Sequence, residues 1–304
     1  MADFQVTIVG LGVTGTSLGL ALRKASGDIR IVGHDRESAA AAAARKAQAV
    51  DRTDWNLPNA CREASIVILA LPLSEIRDTL AVIGPDLPPH CLVTDTAPLK
   101  EPVLAWARET LPPQVAFVGG SPVGARGATT ARSDLFAGTT YCLCPEPATP
   151  AEAIDCASDL ALAVGARPHF IDAAEHDGLV AVLDQLPFLL AAGVLRATSS
   201  EGGWRDLAAL GSGRFDQLLR TLGDTRAGSL AVAPATPATV GRWLDRLQEA
   251  LDALRALLQE EPGARQEATK HLLEARAEWE RHGADAPGPR PDVGFGLGRM
   301  FGLR

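Results

Sequence analysis

Short apolar runs alternate with helix-compatible stretches through the first half of the chain, the pattern of a parallel sheet joined by crossover helices. "QVTIVG" (5–10), "IRIVGHD" (29–35) and "SIVILALP" (65–72) read as strands. The last is a continuous apolar run stopped by proline, as a strand buried on both faces carries. "CLVTDTA" (91–97), "VAFVGGSP" (115–122), "TTYCLCP" (139–145) and "PHFIDA" (168–173) add four more. "TGTSLGLALRKA" (14–25) and the alanine-rich "ESAAAAAARKAQA" (37–49) read as helices between strands.

After about residue 172 the strand signals stop. "HDGLVAVLDQLPFLLAAGVLRATS" (176–199) is too rich in Leu and Ala for a surface helix, and Pro187 kinks it or marks a junction between two helices. Leucines at 244, 247, 251, 254 and 258 keep a helical rhythm over 236–261, and a charged helix follows at about 263–281. That leucine seam is either an intrachain core or a subunit contact. The tail 283–304 opens as a Pro/Gly linker and ends in Phe295, Leu297, Met300, Phe301 and Leu303. It is either a frayed terminus or a peptide that docks on a partner. The expected division is therefore 1–172 (α/β), 173–282 (helical) and 283–304 (tail).

Composition narrows the function. The chain has 304 residues, 46% hydrophobic and 22% charged, as a soluble globular protein does. The net charge of −8 argues against nucleic acid as the main partner. No signal peptide is visible, and no apolar run is judged to approach the roughly 20 residues of a membrane span. The reading is cytoplasmic, with no membrane partner. Cys61, Cys91, Cys142, Cys144 and Cys156 lack zinc-site spacing and read as buried thiols, so no metal is expected.

"VGLGVTG" places Gly10, Gly12 and Gly15 in G-x-G-x-x-G spacing between a strand and a helix, with Val13 and Thr14 inside it. The first glycine permits the tight turn, the second lets backbone approach a pyrophosphate, and the third lets helix and strand pack closely. Asp35 ends the second strand, where an acid binds the ribose hydroxyls. The first half is thus a Rossmann dinucleotide-binding domain. Asp35 favours NAD, because a carboxylate repels the extra phosphate of NADP. Arg36 beside it can accept that phosphate, so NADP is possible. Leu71, Pro72 and Thr96, just past the third and fourth strands, are expected near the cofactor.

"VTDTAPLK" (93–100), "FVGGSPVGARG" with "LFAGTTYCLCP", "EHDGLVAVLDQLPFLLAAGVL" and "GGWRDLAALGSG" resemble, in order, the motif blocks of the prephenate and arogenate dehydrogenases. The resemblance implies a Rossmann domain followed by an all-α domain that makes a homodimer and helps bind a small-molecule substrate. It also implies oxidative decarboxylation of prephenate or arogenate in tyrosine biosynthesis. Several motif positions differ. The family's catalytic histidine falls on Ser121, its serine of the S-x-K segment on Pro98, and its second pair of histidines on Gln185 and Phe188. Asp184 replaces another serine, and a substrate-binding arginine falls on Ala209.

Those departures set the candidate chemistry. A serine hydroxyl hydrogen-bonds but is no base at neutral pH unless another group activates it, whereas a histidine titrates near working pH. Ser121, His176, Asp184 and Gln185 are the catalytic candidates; Lys100, Arg126 and Phe188 are the substrate-contact candidates. His176 is either a structural helix-start residue or part of the chemistry. Asp184 is either a carboxylate with a raised pKa or the partner of a nearby arginine. Arg126 either binds an anionic substrate or is solvated. The reading is an NAD(P)-dependent dehydrogenase acting on prephenate, arogenate or a different and less acidic substrate. The alternative is a non-catalytic dinucleotide-binding sensor or partner-binding protein on the same fold. A lysine-based hydroxyacid dehydrogenase is disfavoured, because no lysine lies between Lys100 and Lys270.

Overall fold

The computed structural model describes residues 4–26, 28–123, 128–199, 204–211, 213–222 and 237–284. Eight strands form one sheet in the order β3-β2-β1-β4-β5-β6-β7-β8. β1 (Gln5–Val9), β2 (Arg30–His34), β3 (Arg52–Thr53), β4 (Ile66–Leu69), β5 (Leu92–Asp95) and β6 (Ala116–Pro122) run parallel. β1, β4 and β5 are buried along their whole length; β4 (Ile-Val-Ile-Leu) is accordingly an unbroken apolar run, while β1 and β5 bury Gln5, Thr7, Thr94 and Asp95 among their apolar residues.

Helices cover both faces. α1 (Val13–Ala25), α2 (Ser38–Lys46) and α3 (Leu57–Cys61) follow β1, β2 and β3; α4 (Leu73–Ile83) and α5 (Glu101–Thr110) follow β4 and β5. One apolar cluster, with Ile8, Leu18, Leu22 and Phe136, lies on one side of the sheet; a second, with Val67, Ile76, Leu80 and Val93, lies on the other. β1 has β2 on one side and β4 on the other, and the helices after β1 and β4 go to opposite faces of the sheet. That is the switch point at which open α/β sheets bind ligands.

The wholly parallel sheet expected from sequence needs one correction. β7 (Thr140–Cys144) runs antiparallel to β6, and β8 (Arg167–Phe170) then runs parallel to β7 across α6 (Ala151–Ala163).

The chain then turns helical: α7 (Ala173–Val180), a π-helical turn (Ala181–Gln185), α8 (Leu186–Ser199), α9 (Trp204–Leu210), α10 (Arg214–Leu219), α11 (Pro237–Leu257) and α12 (Pro262–Ala284). Asp172 caps α7, accepting from Ala174 N and Glu175 N. Pro187 has no N–H for the carbonyl four residues back, and the turn before it widens, with Leu186 N bonding Ala181 O instead. The proline is therefore absorbed within a continuous helical path.

Two further expectations change here. Residues 173–199 make one helical stretch of 27 residues whose most apolar 18-residue window has mean hydropathy 1.9, enough by length and composition alone to cross a membrane. The expectation that no apolar run approaches the length of a membrane span is thus changed for this stretch. Nor is the stretch a buried core helix: Leu179 and Leu183 are exposed, and Ala191 is the one fully buried residue of α8. On α11 the seam leucines 244, 251, 254 and 258 are exposed too, so the seam is no intrachain core. The apolar tail beyond residue 284 lies outside the described residues.

Candidate active site

The glycine loop has the geometry that its spacing predicts. Gly10 takes φ +92°, and a Cβ there would lie 2.4 Å from Ala70 O and 3.0 Å from Leu71 Cδ2, where the loops after β1 and β4 abut. A Cβ on Gly15 would stand 1.8 Å from Gly10 O. On Gly12, exposed at the N-cap of α1, a Cβ would meet nothing within 4 Å. The first and third glycines are thus imposed by protein packing, and the second faces open space at a helix N-terminus. Val13 and Thr14, half-buried, open that helix.

Asp35, at the end of β2, anchors the loop. Its Oδ2 accepts from Leu11 N at 2.7 Å and its Oδ1 from Glu37 N at 2.8 Å. Arg36 is exposed and pairs with Glu75 of α4 at 3.0 Å. Leu71 and Thr96 are half-buried and Pro72 exposed, each just past the end of its strand. A cleft of about 730 Å³ opens beside Asp35 and Arg36. A larger one, about 1140 Å³, lies at the other end of the sheet, against Ser65, Leu92 and Ala116 at the starts of β4, β5 and β6. None of the sequence candidates lines that larger cleft, and α/β sheets bind at the opposite, carboxyl ends of their strands.

Past the ends of β5 and β6 a polar cluster is sealed inside the protein. Asp95, Lys100 and Ser121 are 0% exposed, and His176, Asp177 and Gln185 no more than 2%. Lys100 Nζ bonds Asp95 Oδ2 and donates to Gly120 O at 2.6 Å. Asp95 also accepts from Ala97 N (2.8 Å) and Gly120 N (3.0 Å). One lysine and one aspartate therefore grip both backbone polar groups of Gly120, next to Ser121. Ser121 lies opposite Cys142 in the β6–β7 ladder. A Cβ on Gly119, on the same face, would stand 3.1 Å from Lys100 Cδ.

Asp177 joins the helical region to this cluster. It accepts from Lys100 N (2.7 Å) and Glu101 N (3.0 Å), capping α5 across 76 and 77 residues of sequence, and Oδ1 lies 2.8 Å from His176 Nδ1. Since an ionised carboxylate only accepts, Nδ1 carries the proton and Nε2 is the acceptor nitrogen. Leu99, Val180 and Leu73 pack beside it as a small apolar plug.

The structure therefore gathers Ser121, His176 and Gln185 into the buried polar set, while Asp184 and Phe188 are half-buried on the π-turn and on α8. It moves Lys100, a substrate-contact candidate, beneath the loop, because a buried ammonium must be paired and Asp95 pairs it. Arg126 lies outside the described residues. Asp95 and Asp177 were not singled out in the sequence; both sit inside quoted motifs, but nothing local marks bonds to residues so far along the chain.

The five cysteines are free. Burial pushes the thiols of Cys61, Cys91, Cys144 and Cys156 up to about 12. Among the described residues no three His, Cys, Asp or Glu side chains converge as a metal site would require.

Fold and loop together define a Rossmann nucleotide-binding protein with a helical C-terminal region. The chain belongs to the prephenate dehydrogenase family: residues 18–169 match the family model for the prephenate dehydrogenase nucleotide-binding domain. It is 29% identical to the prephenate dehydrogenase of Bacillus subtilis (strain 168) over 225 residues, 68% of this chain and 60% of that one. It is 26% identical over 190 residues to the cyclohexadienyl dehydrogenase of Zymomonas mobilis, 62% of this chain and 64% of that one. These matches span less than two thirds of the relatives' own length. Among solved structures, Aquifex aeolicus prephenate dehydrogenase, in complex with hydroxyphenyl propionate and NAD+, superposes with a TM-score of 0.83 at 19% identity, covering 92% of this chain and 99% of that one.

Proposed function

We propose that the chain is an NAD-dependent oxidoreductase of the prephenate dehydrogenase type, a cytoplasmic homodimer acting on prephenate, arogenate or a less acidic ring substrate. Residues 1–172 hold the cofactor, and 173–282 complete the substrate site and the dimer. The observation that carries the reading is the loop at residues 10–15: its helix N-terminus faces open space at Gly12, and Asp35 holds it from behind. Backbone N–H groups and a helix N-terminus are what a pyrophosphate requires.

In the reaction a hydride leaves the hydroxyl-bearing carbon for the cofactor while the hydroxyl proton goes to a base. For prephenate or arogenate, the ring carboxylate would depart as CO2, its bonding pair making the ring aromatic and leaving a phenolate that takes the proton back from the base. His176 is the base of this proposal, through Nε2, with Asp177 fixing its tautomer. His34 is half-buried against Asp54 O; His90, His169 and His271 are exposed, which supports the choice of His176. In this proposal substrate entry opens the sealed set, so that Ser121 meets the substrate hydroxyl while Asp184, Gln185 and Phe188 contact the ring. Lys100 acts by positioning Gly120 rather than by touching substrate.

The test is cofactor binding followed by turnover: NAD titrated into the protein, then absorbance of the reduced nicotinamide followed with prephenate and with arogenate. Binding with turnover of either supports the enzyme. Binding without turnover of either removes prephenate and arogenate as substrates and leaves the less acidic ring substrate or the second reading, a non-catalytic nucleotide-binding protein, for which Ser121 at the place of the family's histidine argues. Binding of no nucleotide removes both.

A further inference from the structure

The helical path from α7 into α8 takes up one extra residue at the π-turn, and that residue decides which side chain faces the sealed polar set. We propose that Pro187 is a positioning residue: through the π-turn it presents Gln185, rather than Asp184, to the side of the set that holds His176 and Asp177. The substrate then meets a neutral amide there and not a second carboxylate. The inference rests on the reading of that set as the substrate site and extends it to a residue outside the set.

An α-helix turns about 100° per residue. Measured from Asp177, His176, Val180 and Ala181 lie at about −100°, −60° and +40°. With Asp177 they form the buried face of α7 and its continuation, each no more than 2% exposed. Continued as a straight α-helix, the chain would bring Asp184 to about −20°, the middle of that face, and Gln185 to about +80°, past its rim. The observed burial is the reverse: Gln185 is 1% exposed and Asp184 only half-buried. The π-turn accounts for the reversal. Leu186 N bonds Ala181 O, five residues back, so the turn uses one residue more than an α-turn and the chain falls back by about 100°. Gln185 then takes the azimuth of about −20° that Asp184 would have had.

Pro187 makes the wider turn necessary. It has no N–H for Leu183 O, and in a regular α-helix its ring would press on that carbonyl. Its own side chain is exposed, so what the polar set gains is the amide. An inward Asp184 would add charge where none is available to match it. Asp177 is met by Lys100 N, Glu101 N and His176 Nδ1, and the Lys100 ammonium is held by Asp95. The Cys144 thiol of β7, beside the same groups, is held protonated by burial. A second carboxylate near the imidazole would also favour its protonated form, which accepts no proton.

The experiment follows the ring signals of His176 by NMR through a pH titration of the full chain, assigned by their loss in His176→Gln. Pro187→Ala, at an exposed helix position, should keep the helical circular dichroism and move the His176 titration to higher pH. Adding Asp184→Asn in that background should return it. With Pro187 in place, Gln185→Glu should raise the titration by more than Asp184→Asn lowers it. An unmoved titration in Pro187→Ala overturns the inference, and so does a shift that Asp184→Asn does not reverse. Equal or inverted effects of Gln185→Glu and Asp184→Asn overturn it as well, even where Pro187→Ala fails to fold. None of these readings needs turnover, so an unmodified chain that binds NAD without turning over removes the enzyme and leaves this inference to its own result.

Discussion

A single methyl group separates the roles of the loop glycines. Gly12→Ala places its Cβ in open space at an ordinary backbone φ of −67°, so it leaves stability within about 0.5 kcal/mol while pushing the pyrophosphate away. Gly15→Ala drives a methyl into Gly10 O and destabilises by about 1–3 kcal/mol. Thermal unfolding paired with NAD titration checks both: the first variant should melt normally and fail to bind, the second should melt several degrees lower. Lys100→Met tests the polar cluster beneath the substrate loop. It strands Asp95, 0% exposed, with only backbone donors, and should cost about 3–5 kcal/mol in urea unfolding. A loss below about 1 kcal/mol would mean that water reaches Asp95. At this scale the cofactor loop was legible in the sequence, because its glycines act through local backbone shape. The grip of Lys100 on Gly120 and the capping of α5 by Asp177 were not, because they join residues 20 and 77 apart whose proximity only the fold creates.

At the scale of elements, seven of the eight strands were legible from their apolar residues and flanking turns, and the two-residue β3 was not. What failed was direction at β7, which pairs antiparallel with β6, and continuity at Pro187, where a π-turn absorbs the missing donor. The same burial that makes the strands readable controls their thiols. Cys144 on β7, Cys61 on α3, Cys91 before β5 and Cys156 on α6 each carry a thiol pushed up to about 12, from an ordinary 9. At pH 8 a thiol reagent should leave these four unmodified in the native protein and reach them only after unfolding. The sign of the stability effect follows. Below pH 9 the thiols are protonated in both states and contribute no pH dependence. Between 9 and about 12 only the unfolded chain gives up its protons, so the native state loses stability as pH rises. A urea midpoint that stays flat from pH 8.5 to 10.5 would contradict this.

Across the whole molecule, the α/β half finishes its core within one chain and the helical half does not. α7, the π-turn and α8 form a stretch apolar enough to span a bilayer, yet 22% of its most apolar window is buried, and His176, Asp177 and Gln185 belong to the sealed polar cluster. Inserting that stretch in a membrane would tear Asp177 from the N-terminus of α5. The apolar surface needs another cover. Leu251 and Leu254 on α11 are each 46% exposed, and Leu272, Leu273 and Trp279 on α12 are more so. Fully burying a leucine is worth roughly 1.5–3 kcal/mol, so several such residues from each of two chains supply the driving force for a stable pair. A second copy presents the same surface, which a two-fold contact uses on both sides. Analytical ultracentrifugation should therefore give twice the chain mass without detergent, and Leu251→Glu/Leu254→Glu should give one chain mass with NAD affinity retained, since α11 is remote in sequence from the glycine loop and neither leucine contributes to the two sheet cores. A wild-type monomer would assign those leucines to a different partner. A monomeric variant that also loses NAD would mean that the nucleotide site depends on the pairing.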